Sequence, residues 1–236
     1  MGDSLDFEGR WQQKLETALD RVAGQATRHL IMEGGECLTD RSSREEIIIW
    51  TRAMLASAEA ALDASECAEA FTACACHYPS EDLLPLREQY ARDGNIHSIM
   101  SELQARFEGF LAEQVGLAED DIEQIVERGW GLAGRLEGMT IFATKIPKSG
   151  YLVEYMREPD PERQRAIYCH CPRVRAAAAT PQGLPAAYCY CGAGYYKDIW
   201  ETILDRTVEV EVVSSVLAGD DTCTIAIHLP PGTLDP

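Results

Sequence analysis

The chain has 236 residues, of which 46% are hydrophobic and 25% charged, and its formal net charge is −18. This size and composition are typical of a globular protein with one large domain or two modest ones. Because so acidic a surface repels phosphates and anionic lipids, we expect neither nucleic acids nor membranes as partners.

Export and membrane signals are missing from the sequence. The acidic first residues lack the basic-then-apolar pattern of a signal peptide, and no stretch approaches the ~18 apolar residues that a membrane helix requires. We therefore expect a cytoplasmic protein whose nine cysteines stay reduced. An odd number of cysteines also prevents complete intramolecular pairing, and cytosolic cysteine clusters more often bind metal or catalyse reactions.

The first half of the chain has the periodicity of helices. Apolar residues recur at helical spacing, and Ser42 with Glu45 predicts a capping box before the second of these segments. The predicted helices cover about residues 11–30, 47–62, 66–73, 83–86, 96–111 and 122–126. We expect a helical region over residues 1–130.

After residue 130, glycines interrupt the helical pattern and short alternating segments follow. Strands are predicted at 139–144, 151–156, 164–170, 208–212 and 223–228, with an amphipathic helix at 194–204. The sequence therefore predicts an α+β fold, in which a helical N-terminal half packs against a mainly antiparallel C-terminal sheet with one helix. Residues 131–236 would form a cysteine-rich domain that binds a ligand or metal, and the two regions could also fold as one unit.

Five cysteines lie close together in this C-terminal region. They form two Cys-X-Cys pairs, Cys169–Cys171 and Cys189–Cys191, followed by Cys223. On a strand, residues i and i+2 point to the same side with Cα atoms roughly 6.6 Å apart. Two such pairs on neighbouring strands would direct their thiolates at one point, which favours zinc or an iron–sulfur cluster. The predicted metal ligands are Cys169, Cys171, Cys189, Cys191 and Cys223.

Other interpretations of the cysteines stay open at this point. Free cysteines behave as small hydrophobic residues and can be inert filler, or the two pairs could form a labile disulfide. A second group, Cys74-Ala75-Cys76-His77, lies in the helical half, with Cys37 upstream. His77 could ligate a metal or lower the pKa of the Cys76 thiol, although a helix end with incidental cysteines fits equally well.

Residues around the two pairs are candidates for binding a substrate. Arg173 and Arg175 share a face if their segment is extended, and they could hold a carboxylate through bidentate hydrogen bonds or pair with surface acids. Tyr190 and Tyr195 could line an apolar pocket.

Residues 165–230 resemble the C-terminal part of the vinyl-reductase-type small-molecule-binding (hydrocarbon-binding) domain. The matching run is Tyr188-Cys189-Tyr190-Cys191, an amphipathic helix, the strand 208–212, and Gly219-Asp220-Asp221-Thr222-Cys223. The resemblance implies a pocket beside a zinc ion that cysteines and a glutamate hold, with Cys189 or Cys191 first and Cys223 last. Two further ligand positions are Ser215 and Val212 here, so we expect Cys169 and Cys171 to replace them.

The chain is more similar still to a branch related to 2-aminothiazoline-4-carboxylate hydrolase-like proteins. This resemblance rests on Cys169-His170-Cys171-Pro172-Arg173-Val174-Arg175 and on the run from Cys189 to Lys197. It implies a hydrolase that acts on small C–N or C–S compounds.

Three functions follow from these observations. The first is a cytosolic small-molecule-binding protein with a cysteine-held metal beside an enclosed pocket. The second is a hydrolase in which a Cys191 thiolate or a zinc-bound water attacks a small heterocyclic or sulfur-containing acid, with Lys197 or His170 carrying the proton. The third is a structural protein whose helical half forms a homodimer.

Overall fold

The structure, a computed structural model, describes residues 6–179 and 183–234. The predicted α+β fold is confirmed: within these residues nine α-helices accompany one four-stranded antiparallel sheet. None of the described helices is both long enough and apolar enough to cross a membrane.

Six helices form the N-terminal half. They are α1 (Phe7–Met32), α2 (Arg44–Ala61), α3 (Ala64–Ala73), α4 (Ser80–Asp93), α5 (Ile96–Phe110) and α6 (Glu119–Glu127), with a π-helical turn at Leu111–Val115. A capping box does precede α2, but it joins Ser43 and Glu46 instead of Ser42 and Glu45. Ser43 has the extended backbone of an N-cap, and its hydroxyl accepts the Glu46 N–H at 3.2 Å.

The C-terminal half combines the sheet with three helices and two 3₁₀ turns. Its elements are β1 (Arg135–Glu137), β2 (Thr140–Thr144), α7 (Ser149–Arg157), α8 (Pro161–Tyr168), the turns Arg175–Ala179 and Ala186–Cys189, α9 (Tyr190–Leu204), β3 (Glu209–Ser214) and β4 (Thr224–His228). The strands predicted at 151–156 and 164–170 are wrong, since these residues lie in α7 and in α8 with the loop after it. Leu152 and Tyr155 share a buried helical face, and Pro161 begins α8 after the Asp160 cap.

The sheet has the strand order β1-β2-β4-β3, and every neighbouring pair is antiparallel. The register of β2 and β4 places Thr144 opposite Thr224, and the Lys145 N–H then donates to the Cys223 carbonyl at 2.9 Å. Ile141 and Ala143 of β2 point into the core. Lys145, two residues further on, continues along this buried face at the end of the strand.

Helix α9 lies at the centre of the molecule. Its Ile199 and Trp200 are fully buried between the sheet and the helices of the N-terminal half. Three clusters of buried side chains make up the core, and each combines residues from both sides of residue 130. The helical region and the cysteine-rich region therefore share their hydrophobic cores.

Gly194 lets the beginning of α9 pack directly on the end of α3. A Cβ atom at Gly194 would lie 2.1 Å from the Thr72 carbonyl oxygen and 2.8 Å from the Ala75 Cβ. Only glycine allows so close an approach of two helices. The contact brings the first turn of α9 against the residues that follow α3, which include Cys74.

Candidate functional site

A cavity of about 990 Å³ lies where the end of the sheet, the first turns of α9 and the ends of α4 and α5 meet. This is the size of a typical small-molecule site. The π-helical turn after α5 contributes Glu113 and Gln114 to the wall, and such turns occur frequently at functional sites. Aromatic residues of the wall include Phe107, Phe110, Tyr78, Tyr168, Tyr195 and Tyr196.

The predicted cysteines all line this cavity, although they do not lie on strands. Cys169 and Cys171 belong to the loop after α8, Cys189 ends a 3₁₀ turn, and Cys191 lies in the first turn of α9. Only Cys223 adjoins the sheet, immediately before β4. Segments remote in sequence thus bring the five predicted thiols to one wall. Loops and the start of a helix carry most of them, whereas we predicted paired strands.

Most of these thiols have separate partners. The Cys171 Sγ lies 3.5 Å from the Tyr188 hydroxyl, the Cys189 Sγ lies 2.8 Å from the Ser215 hydroxyl, and the Cys223 Sγ accepts the Val216 N–H at 3.5 Å. Burial raises the pKa of Cys169 to about 12 and also raises the pKa values of Cys189 and Cys223. These three thiols are therefore protonated near neutral pH.

The geometry provides no ready metal site. Within the described ranges, no group of three or more His, Cys, Asp or Glu side chains is arranged to hold an ion. Ser215 stands at a position where the family that residues 165–230 resemble is expected to have cysteine. Its hydroxyl contacts the Cys189 sulfur, and its hydrogen bond acts to lower the pKa of Cys223. The zinc ion and the iron–sulfur cluster that we predicted therefore stay predictions.

Cys191 differs from the other thiols of the wall. Its Sγ lies 3.8 Å from the Cys74 carbonyl oxygen, and the side chains of Cys74 and Cys191 interact. The hydrogen bond from Cys74 outweighs burial and, with Trp11 and the nearby cations of Lys145 and Arg173, lowers the pKa of Cys191 to about 7. The positive end of α9 adds to this preference for a negative charge. The lowered pKa makes Cys191 a candidate nucleophile of the cavity.

Lys145 is the site residue that the sequence analysis missed. Its half-buried side chain follows the inward face of β2 into the cavity, so that its Nζ lies 3.1 Å from where a Cβ of Gly192 would be and 6.0 Å from the centre of the Tyr195 ring. No ion pair or hydrogen bond of this Nζ is found within residues 6–179 and 183–234. The alternation along β2 is the sequence signal that could have indicated its inward direction.

Further cations surround the loop that carries the first thiol pair. His170 lies at the rim with its Nδ1 3.4 Å from the Ile146 carbonyl oxygen. Desolvation and the charges of Lys145, Arg175 and Lys148 lower the pKa of His170 to about 4. His170 is therefore neutral at pH 7, and with that pKa it would be a weak general base.

Arg175 supports this loop. Its guanidinium donates to the carbonyl oxygens of Cys169 at 2.6 Å and His170 at 3.4 Å, and it lies 4.2 Å from the centre of the Tyr151 ring. These contacts fix the loop conformation. Arg175 is not one of the residues that line the cavity in the described part of the chain.

Arg173 does not have the role that we predicted for it. It is fully buried, and its Nε and Nη2 donate to the Glu8 carboxylate at 2.8 and 2.7 Å, while Nη1 donates to the Thr51 hydroxyl at 2.8 Å. The guanidinium also lies 3.9 Å from the centre of the Trp11 ring. Glu8 occupies the edge of the guanidinium that makes bidentate hydrogen bonds, so Arg173 cannot offer this edge to a substrate carboxylate, although it contributes to the cavity wall.

The remaining candidates divide between cavity and surface. Tyr195 lines the cavity and packs against Tyr78 at 6.3 Å between ring centres, whereas Tyr190 packs into the core. Cys76 is exposed and reaches the cavity wall. His77 is exposed and lies 2.8 Å from Asp198 on α9.

The structure also answers whether the cysteines of the helical half join the C-terminal group. Cys74 contacts Cys191, and Cys76 shares its cavity. Cys37 is exposed in the turn after α1 and is not one of the described residues that line the cavity.

Comparison with known proteins adds one match. Residues 163–232 match a family described as a family of unknown function (DUF6144). No curated protein and no solved structure matches the chain. The matched segment carries five of the cysteines that line the cavity, whereas Cys76, Trp11, Cys74 and Lys145 lie outside it.

Proposed function

We propose that this protein binds a small organic anion with an aromatic or apolar body, held in the thiol-lined cavity. The observation that carries the proposal is the Lys145 ammonium group, which extends into the cavity without a carboxylate partner in the described residues. The protein as a whole carries a net charge of −18. A cation that this acidic chain leaves unpaired in a cavity is suited to a ligand that supplies the negative charge.

The walls beside Lys145 favour a flat, apolar ligand body. Tyr195 lies below the ammonium group, and Tyr78 extends the aromatic surface. Phe107 and Phe110 of α5 line the same cavity. Pockets that combine such apolar walls with a few polar groups bind small molecules, and the polar groups set the orientation. A charged hydrogen bond of this kind contributes about 1.5–3 kcal/mol.

A panel of ligands in matched pairs tests this proposal. Aromatic carboxylates would be compared with their neutral amides by the rise in melting temperature and by calorimetry. We expect carboxylates to bind about 10-fold to 100-fold more tightly, which corresponds to the energy of one charged hydrogen bond. Lys145→Met should remove this preference and Lys145→Arg should keep most of it. Equal affinities of the two ligand series for the unmodified protein would refute the proposal.

A second candidate function is hydrolysis, and the specific observation in its favour is the lowered pKa of Cys191. Gly192 lies against Lys145, so a carboxylate bound to Lys145 would hold the ligand body close to Cys191. The thiolate would attack an electrophilic carbon and expel an amine or thiol that takes up a proton, and water would then release the acid. Cys191→Ser should abolish turnover and retain binding. Turnover by that variant would exclude this candidate.

Zinc binding remains a separate proposal that rests on the resemblance. Metal analysis of reduced protein tests it, since a structural site binds about one equivalent. Ser215→Cys provides a positive control, because it would add a third thiol beside Cys189 and Cys223. If Ser215→Cys binds metal and the natural protein does not, one substitution is enough to create a metal site in this wall, and the natural chain has no zinc site.

A further inference from the structure

We propose that Gly192 determines the specificity of the cavity for anions, because its lack of a side chain makes room for the Lys145 ammonium group on the first turn of α9. This inference deepens the proposed function and rests on it. The observation that carries it is the distance of 3.1 Å between the Lys145 Nζ and the place that a Cβ of Gly192 would take.

The backbone of α9 does not require a glycine at position 192. Gly192 lies within α9 and is not among the glycines with a positive φ, so alanine would fit its backbone. Glycine also destabilises a helix relative to alanine, because it loses more conformational freedom on folding. The role of Gly192 must therefore be sought in the space that its lack of a side chain leaves free.

Lys145 occupies this space. Apart from its own helix and its chain neighbours, a Cβ at Gly192 would meet a single described atom within 4 Å, the Lys145 Nζ. The same ammonium group lies 6.0 Å from the centre of the ring of Tyr195, about one helical turn further along α9. Gly192 and Tyr195 both line the cavity. A side chain at position 192 would thus move the charge of Lys145 away from this face of α9.

The charge of Lys145 is unfavourable at this end of α9. The N-terminal end of a helix carries a partial positive charge and is stabilised by anions. The first turn of α9 contains no acidic residue, and the side chain of its N-cap, Cys189, makes no capping hydrogen bond to the described residues. The protein thus places a half-buried cation where an anion is preferred. A carboxylate bound to Lys145 would compensate both positive charges.

The test measures the affinities of benzoate and benzamide by calorimetry. In Gly192→Ala, whose Cβ displaces the ammonium group, the benzoate-to-benzamide affinity ratio should fall about 3-fold to 10-fold, with the benzamide affinity changed less than about twofold. Gly109→Ala is the matched control and should keep the ratio of the unmodified protein. Gly109 is another helical glycine of the cavity wall, and a Cβ there would meet no described atom within 4 Å.

Stability and a double variant separate this role from a structural one. Because alanine favours the helix, Gly192→Ala should raise the melting temperature of the ligand-free protein by about 1–4 °C. In the Lys145→Met background, the same substitution should leave the affinity ratio unchanged, since the charge that it displaces is gone. A lowered melting temperature of Gly192→Ala would show that the fold requires the glycine, and would overturn the inference.

The outcomes distinguish this inference from the proposed function. If the unmodified protein shows no preference for benzoate, the proposed function fails and the role of Gly192 fails with it. A preference that Lys145→Met removes and Gly192→Ala leaves intact would overturn the role of Gly192 alone. Equal losses of benzoate and benzamide affinity in Gly192→Ala would also overturn it, because they would show contact with the ligand body instead of an effect on Lys145.

Discussion

Two cations lie close to the same cavity, and they have opposite environments. Arg173 is fully buried, with its donors taken by Glu8 and Thr51 and its plane covered by Trp11. Lys145 extends into the cavity beside thiols and an aromatic ring, and the described residues give it no anion. The first cation completes a closed network within the core. The second has no such partner in the described part of the chain, and our proposal assigns it to a bound anion.

This contrast shows for which charged residues a sequence pattern can predict the role. An arginine near two cysteine pairs suggested substrate binding, whereas the sequence analysis gave the lysine no role. The structure places the arginine in the core with a carboxylate in reach, and the lysine on the cavity wall with no carboxylate partner among the described residues. Occupied hydrogen bonds, more than residue type, separate structural from functional charges here.

The largest expected effect comes from breaking the Arg173 network. Arg173→Met should reduce the free energy of unfolding by about 3–5 kcal/mol, because it leaves the Glu8 carboxylate buried without its cation. Urea denaturation provides the measurement. Glu8→Gln combined with Arg173→Met should recover much of the loss, and a double variant as unstable as the single one would argue against the carboxylate as the cause.

A smaller loss is expected when the contact between α3 and α9 is disturbed. Gly194→Ala should destabilise the protein by about 1–3 kcal/mol, because its Cβ would overlap the Thr72 carbonyl oxygen. Gly109→Ala is the control, since a Cβ at that position in α5 meets nothing within 4 Å and should stabilise the helix by about 0.5–1 kcal/mol. Equal effects of the two substitutions in thermal unfolding would contradict the tight helix contact.

The pH dependence of alkylation tests how the charge of Lys145 affects the nearby Cys191 thiol. The reaction of Cys191 with iodoacetamide should rise with pH and reach half its maximum near pH 7, because the lowered pKa makes half of the thiol ionised there. Cys169, whose pKa burial raises to about 12, should stay unreactive through pH 9.

Lys145→Met should move the Cys191 midpoint to higher pH, since it removes a positive charge that favours the thiolate. Peptide mapping of the alkylated protein separates the two thiols. A midpoint for Cys191 near the ordinary cysteine pKa of about 8.5 would contradict the assignment.

The smallest effect is expected on the stability of the same variant. Lys145→Met should change the free energy of unfolding by less than about 0.5 kcal/mol, because the ammonium group makes no ion pair with any described residue that its loss would break. Urea denaturation of Lys145→Met and Arg173→Met under the same conditions compares the contributions of the two cations to stability. A loss above 2 kcal/mol would show that Lys145, too, is held by the fold.

The sequence predicted the long periodic elements well and the short ones less well. The α+β class and the strands β2, β3 and β4 were predicted, because alternation and helical spacing repeat there. Residues 151–156 were assigned to a strand because six residues satisfy either period. The buried side of α7 depends on neighbours that the local pattern does not contain.

The site was predictable only where its residues are adjacent in the chain. The cysteine pairs drew attention to the correct wall, although their route to it through loops and helix starts was not foreseen. The partners of Arg173 and Cys191 are Glu8 and Cys74, at separations of 165 and 117 residues. No local periodicity connects such distant positions, so their contacts emerge only from the packed fold.

The ion pair of Glu8 and Arg173 also affects how the chain is made. Ribosomes add about 5–20 residues per second, so the helix that carries Glu8 exists for roughly 10–30 s before its arginine is synthesised. During that interval the carboxylate must stay hydrated, and the surfaces of α1 and α2 that will cover the arginine cannot close. The nascent helices are therefore expected to remain open to solvent, and to chaperones, until the thiol-bearing segment has left the exit tunnel.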